Sequence, residues 1–157
     1  MPDSHVVVLG ASLGGVGALM RIAALLPPHL SAIVAVTLHI GAQHSVLPES
    51  LSRRGPARAV HPRQGERPKP GTIYVAPPVH HMLLEPDGIR LSRGARENHV
   101  RPAIDPMFRS AAIGWGSRQP AGSASGWRWR WRWRAAWSNC TAAGSVQPRP
   151  ALATAAA

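Results

Sequence analysis

Two residues of this chain have side chains and spacing suited to nucleophilic chemistry: Ser12 and His39. Ser12 lies in V-V-V-L-G-A-S-L-G-G, residues 6–15, where an apolar run ends in a serine among glycines. Gly10-Ala11-Ser12-Leu13-Gly14 fits the G-x-S-x-G elbow, a sharp strand-to-helix turn that exposes a hydroxyl. The positive end of the following helix would face that hydroxyl. The same small residues could cradle a phosphate, so the motif alone leaves two readings open. His39 ends a second apolar run 27 residues later, the length of one βαβ repeat. An imidazole beside a serine hydroxyl takes up its proton and returns it to the leaving group. The plainer alternative is that Ser12 caps a helix and His39 ends a strand.

The elements that must position this pair are legible nearby. His5–Leu9 is continuously apolar, the pattern of a parallel strand buried on both faces. Val16, Leu19, Met20, Ala23 and Leu26 then mark one face of a helix that Pro27-Pro28 stops. Ala32–Leu38 is a second buried strand, so the two strands and their helix form a βαβ unit. A shorter helix is expected over Gln43–Arg54, with Pro48 in its first turns. Gly71–Ala76 reads as a further strand, and His81–Leu84 with Ile89–Leu91 as a hairpin across Glu85-Pro86-Asp87-Gly88. Asp105 is expected to cap a last helix through Met107, Phe108, Ala111 and Ala112, with Pro106 at its first position. In such a sheet the carboxyl ends of adjacent parallel strands face one crevice, which would bring Ser12 and His39 together.

The chain has 157 residues, 45% of them apolar, enough for one domain with a core. Its start lacks the basic and apolar blocks of a secretory signal, and no apolar run approaches the ~20 residues of a membrane helix. Cys140 is the only cysteine, so neither a disulfide framework nor a thiolate metal cage is expected, and a cytoplasmic setting follows. The net charge of +11 divides unevenly. Residues 1–116 carry 12 Lys+Arg against 7 Asp+Glu, whereas residues 117–157 carry 6 arginines and no acid. That tail, rich in Trp, Arg and Ala, includes W-R-W-R-W-R-W-R at 127–134 and is expected to be disordered. It could be a base-stacking or membrane-surface strip. The reading preferred is an out-of-frame segment, with no nucleic-acid partner and no membrane insertion. His80, His81 and His99 lack the spacing of a metal site, and no metal or other cofactor is expected.

An ordered set of motifs carries a resemblance. G-A-S-L-G-G, His39-Ile40, Gly65-Glu66, P-G-T-I-Y-V-A-P-P at 70–78, His80-His81, L-S-R-G at 91–94, Glu97-Asn98 and R-P-A-I-D at 101–105 follow one another. Together they resemble the catalytic domain of CheB-type protein-glutamate methylesterases of bacterial chemotaxis, from residue 5 to about 115. The resemblance implies an α/β fold with a doubly wound, mostly parallel sheet in three α/β/α layers, here incomplete at its C-terminal part. It implies hydrolysis of glutamate γ-methyl esters on the cytoplasmic helices of methylated chemoreceptors, releasing methanol, and in some members glutamine deamidation. It places Ser12 on the nucleophile and His39 on the general base of a Ser-His-Asp triad. It puts the loops bearing His80, Glu97, Asn98 and Arg101 near the active-site face, with Arg93, Arg96 and Arg101 able to complement an acidic receptor helix.

The chain departs from that pattern in three ways. Leu38 and Leu13 stand where members often carry Gln and Thr. The receiver domain that often precedes this catalytic domain is not in this sequence. The triad acid, carried by an L-T-G-M-x-x-D-G segment, has no counterpart, since no Asp or Glu follows Asp105. A partial catalytic domain over 1–116 is therefore expected, its sheet flank bare where the missing strand would pair. A catalytically dead remnant of the fold is the alternative. A Rossmann-type dinucleotide-binding oxidoreductase, suggested by Gly10, Gly14, Gly15 and Gly17, is the second; it lacks Tyr-x-x-x-Lys, because Tyr74 is followed by Pro78. The frame is testable in the gene. TGG-CGN repeats shifted by two bases become GCG-NTG, so the DNA after codon 116 should encode L-T-G-M-x-x-D-G in another frame. A gene whose other frames encode no such segment contradicts the out-of-frame reading.

Overall fold

Two strands that are apolar on both faces must be covered on both faces, and this sets the architecture. The computed structural model describes residues 5–39, 45–116 and 141–145. In chain order it contains β1 (His5–Ala11), a 3-10 turn (Leu13–Gly15), α1 (Val16–Leu25) and β2 (Ala32–Leu38). Then follow α2 (Leu47–Arg54), β3 (Arg58–Val60), β4 (Thr72–Val75), β5 (His81–Glu85), β6 (Gly88–Ser92), α3 (Ile104–Gly116) and β7 (Thr141–Ser145). The main sheet has the order β3-β4-β2-β1-β7, and β5-β6 form a separate hairpin. Pairing is parallel for β1–β2, β2–β4 and β3–β4 and antiparallel for β1–β7. This is the α/β, mostly parallel fold expected.

The period of two along each strand sorts the core into two layers. Leu9, Ala11, Val34, Val36, Leu38, Ile73 and Val75 cluster with Leu19 and Ala23 of α1 and Leu47 and Leu51 of α2. Val6, Val8, Ile33, Ala35 and Tyr74 pack on the other side with Met82, Leu84 and Ile89 of the hairpin and Met107 and Ala111 of α3. All seven residues of β2 are buried, which is why it reads as an unbroken apolar run. The predicted face of α1 joins the first layer, though only Leu19 and Ala23 are fully buried.

The structure corrects several expectations. Strand β1 runs two residues further than expected, through Ala11. Helix α2 begins at Leu47, with Pro48 in its first turn; Gln43 and Ile40 lie outside the described residues. Strand β3 has no counterpart in the sequence reading, because three residues between Pro56 and Pro62 are too few to show a period. It is held by tertiary contacts: Ser52 Oγ accepts the Ala59 N–H at 2.8 Å and donates to the Ala59 carbonyl at 3.2 Å. Helix α3 starts at Ile104, so Asp105 sits within its first turn rather than at the cap, and Pro106 is third rather than first. Its carboxylate is still well placed toward the helix's positive end.

The expected bare flank of β1 is also corrected. Strand β7, from a segment in which no regular element was expected, pairs there from Val7↔Ser145 to Ala11↔Thr141. Pairing of main-chain groups asks little of side-chain identity, so T-A-A-G-S can satisfy an open edge without an apolar signature. The Trp-Arg run and the rest of the tail lie outside the described residues.

Two glycines give opposite mutational expectations. A Cβ on Gly55, at the C-terminus of α2, would lie 1.9 Å from the Ala23 carbonyl oxygen, so only a glycine lets α2 approach α1 this closely. Gly17, in the first turn of α1, has open space around its position. Gly55→Ala should therefore destabilise by about 1–3 kcal/mol, since backbone must move. Gly17→Ala should stabilise by roughly 0.5–1 kcal/mol. Urea midpoints moving in the same direction for both variants would contradict this packing.

Candidate active site

The ladder between β1 and β2 brings the two candidate residues together. Ala11 is in register with Leu38, and the His39 N–H continues the ladder onto the Ala11 carbonyl at 2.9 Å. Ser12 and His39 thus leave adjacent parallel strands at the same level. Ser12 is exposed and His39 half-buried. Immediately after Ser12 the chain turns: the Gly15 N–H donates to the Ser12 carbonyl at 2.8 Å, and α1 follows without a side-chain cap at Gly15. The amides of Leu13 and Gly14 lie at the head of this turn.

His39 Nε2 is buried and has no hydrogen-bond partner among the described residues. A buried polar atom left unpaired calls for an explanation, and an imidazole awaiting a hydroxyl supplies one. No hydrogen bond joins Ser12 Oγ to the ring here, as is common before a substrate tightens such contacts. Nor does any carboxylate bond to the ring among the described residues. Asp105 is engaged elsewhere, accepting from Asn98 Nδ2 at 2.9 Å.

The neighbouring strand residues explain what roofs the elbow. Continuing the alternation of β1 and β2, Gly10 and Thr37 face α3. A Cβ on Gly10 would fall 2.6 Å from Ile104 Cγ2, so Ile104 occupies the space a side chain would need. Thr37, fully buried, donates its hydroxyl to Met107 Sδ at 3.2 Å. The first turn of α3 is thereby seated over the carboxyl ends of β1 and β2. This contact was not foreseen from the sequence, although the even spacing of Val6, Val8, Gly10 and Ser12 hinted that Gly10 lies under something.

The loop between β6 and α3 brings together the other residues singled out. Glu97 and Val100 exchange backbone hydrogen bonds across Asn98 and His99, both with positive φ (51° and 63°), a tight turn that suits Asn better than His. Arg109 Nη2 donates to both Glu97 oxygens at 2.6 and 2.7 Å. The hydrogen bond with Glu97 raises the already high pKa of that guanidinium. An exposed pair of this kind adds little stability. Arg101 does not present its guanidinium to a partner: its Nη1 donates to the carbonyls of Arg93 and Gly94, each at 2.7 Å. Arg93 donates from Nε to His80 Nε2 at 3.0 Å, leaving Arg96 as the one of the three whose guanidinium makes no hydrogen bond among the described residues. His80 and His81 have all four ring nitrogens engaged within the protein, which removes the lone pairs a metal would need.

The site is a strand-turn-helix elbow bearing Ser12, with His39 at the end of the next parallel strand. The comparisons with known proteins agree on something more particular. Residues 7–122 match the family model described as CheB methylesterase. The chain belongs to the CheB methylesterase family. It is 42% identical over 120 residues to protein-glutamate methylesterase/protein-glutamine glutaminase 4 of Anaeromyxobacter dehalogenans (strain 2CP-C), covering 69% of this chain and 32% of that protein. It is 34% identical over 123 residues to the Azospirillum brasilense protein-glutamate methylesterase/protein-glutamine glutaminase, covering 75% and 31%. Among solved structures, the Thermotoga maritima CheB methylesterase catalytic domain superposes with a TM-score of 0.67 at 30% identity, covering 70% of this chain and 61% of that one. The matched stretch spans about a third of the length of these curated relatives.

The roof over the elbow can be probed directly. Gly10→Ala should displace Ile104 and cost about 1–3 kcal/mol by overpacking. A paired Gly10→Ala/Ile104→Ala variant should recover part of that loss, because the two side chains compete for one space. Additive losses measured by denaturant unfolding would contradict the contact.

Proposed function

We propose that this site hydrolyses γ-methyl esters of protein glutamate, with Ser12 as nucleophile and His39 as general base. The observation that carries the reading is the β1–β2 register, which sets His39 beside Ser12 at the head of a helix. Ser12 Oγ attacks the ester carbonyl carbon while His39 takes its proton. The amides of Leu13 and Gly14 receive the developing oxyanion. The tetrahedral intermediate collapses, His39 passes the proton to the methoxide, and methanol leaves. Water, deprotonated by His39, then releases Ser12 and a glutamate side chain. Attack on a glutamine amide would follow the same steps and release ammonia, in keeping with the second activity in the relatives' names. The methyl leaving group is small, so recognition would rest on the surface around it, for which cytoplasmic helices of methylated chemoreceptors are the proposed substrate. No described helix is long and apolar enough to cross a membrane.

The absence of a carboxylate on the His39 ring among the described residues favours a second reading, a remnant with little turnover. Removing the triad acid from a serine hydrolase costs about 10⁴ in kcat yet leaves a rate above that in water. A fluorophosphonate probe separates the two. Slow labelling confined to Ser12, abolished in Ser12→Ala and at least ~10²-fold slower in His39→Ala, is expected of the enzyme. Labelling that does not depend on His39 would overturn its role as base, and none at Ser12 would favour the remnant.

A further inference from the structure

The loop leading into α3 is fastened by two adjacent imidazoles in opposite tautomers. His81, 4% exposed, lies with Nε2 2.9 Å from the Ala95 carbonyl, while its Nδ1 accepts the Ala103 N–H at 3.2 Å. A carbonyl only accepts and an amide only donates, so His81 must carry its single proton on Nε2. His80 is the reverse. Nδ1–H donates to the Pro78 carbonyl at 2.9 Å, and Nε2 accepts from Arg93 Nε at 3.0 Å. Each ring is neutral, and each uses its lone pair to hold one end of the segment 93–103.

We propose that His81, in its neutral Nε2–H form and assisted by His80, is a positioning residue that seats the first turn of α3 over the Ser12 elbow. Ala103, 1% exposed, is the residue before Ile104, and Ile104 fills the space above Gly10, two residues before Ser12. A second proton on His81 would land on Nδ1, against the Ala103 N–H. Two donors would then face each other in a buried site, and the link would open. The charged and titratable groups on the elements packed here are His80 and Glu85 on the hairpin's first strand and its approach, and Arg90 on its second. Arg93, Arg96, Glu97, His99 and Arg101 lie in the loop, and Asp105 and Arg109 on α3. Glu97 is paired with Arg109 and Asp105 with Asn98, so the described hydrogen bonds offer no carboxylate to hold a protonated His81. The positioning role rests on the reading of Ser12 as nucleophile; the latch itself does not.

The test is long-range ¹H–¹⁵N NMR on the intact chain at about pH 8. The spectrum should show a protonated Nε2 on His81 and a protonated Nδ1 on His80. The reverse tautomers, or an imidazolium on either, would overturn the proposal. In His81→Phe the Gly10 amide and Ile104 methyl signals should move, and Ala103 amide exchange should quicken about tenfold with the lost hydrogen bond. His81→Asn, which offers an acceptor at the Nδ1 position, should leave both near wild type. A Gly10 signal that moves equally in His81→Asn would overturn the coupling even if His81→Phe does not fold. Where Ser12 takes the fluorophosphonate label, His81→Phe should slow it about ten- to a hundredfold, while His81→Asn stays near wild type. Absence of Ser12 labelling in the wild type with the NMR results as expected would overturn the nucleophile and the positioning role, leaving the latch intact.

Discussion

Everything at this site depends on one backbone ladder, the parallel pairing of β1 with β2. Both strands are covered on each face, by α1 and α2 on one side and by α3 with the hairpin on the other, so their residues are apolar almost without interruption. The observed register runs from His5↔Ala32 to Ala11↔Leu38, with the His39 N–H on the Ala11 carbonyl as its last rung. That rung sets His39 level with Ser12. A slip of two residues would keep every apolar side chain on its proper face and still carry His39 some 6–7 Å from Ser12.

The two core layers constrain the ends of the strands differently. On the α1/α2 side, bulky residues fill the space and Gly55 lets the helices close on each other. On the α3 side, small residues toward the ends of the strands, Gly10 and Thr37, admit Ile104 and Met107. The elbow is therefore open toward solvent at Ser12 but roofed one step behind it. The proposed nucleophile would need such an arrangement: room for a substrate in front and a rigid support behind. The support is in turn anchored to the hairpin through His81 and to the loop turn through Asn98 and Asp105.

The sheet edge shows how main-chain demands can be met by an unexpected sequence. Strand β1 would present unpaired N–H and C=O groups on its outer side, and Thr141–Ser145 pairs with five of its residues in the antiparallel sense. That orientation differs from the parallel pairing of the rest of the main sheet.

Much of the fold was legible because its signals are local and strong. Continuous apolar runs announced β1 and β2, the i, i+3, i+4 pattern announced α1, and Pro-Asp-Gly announced the hairpin. The ordered motifs from Gly10 to Asp105 announced the family. Other features left no local trace. Strand β3 is three residues held by Ser52, β7 is a small-residue segment recruited by an open edge, and the start of α3 was misjudged by two residues because Asp105 bonds Asn98 instead of capping. The roles of Gly10, His81 and Arg101 were also hidden, since each depends on an atom that another element brings within reach. Residue type and spacing by themselves determined which groups could react and which strands would be buried. Only the tertiary structure decided what stands beside them, because register, close approach and the partner of a ring nitrogen are set by contacts between segments far apart in the chain.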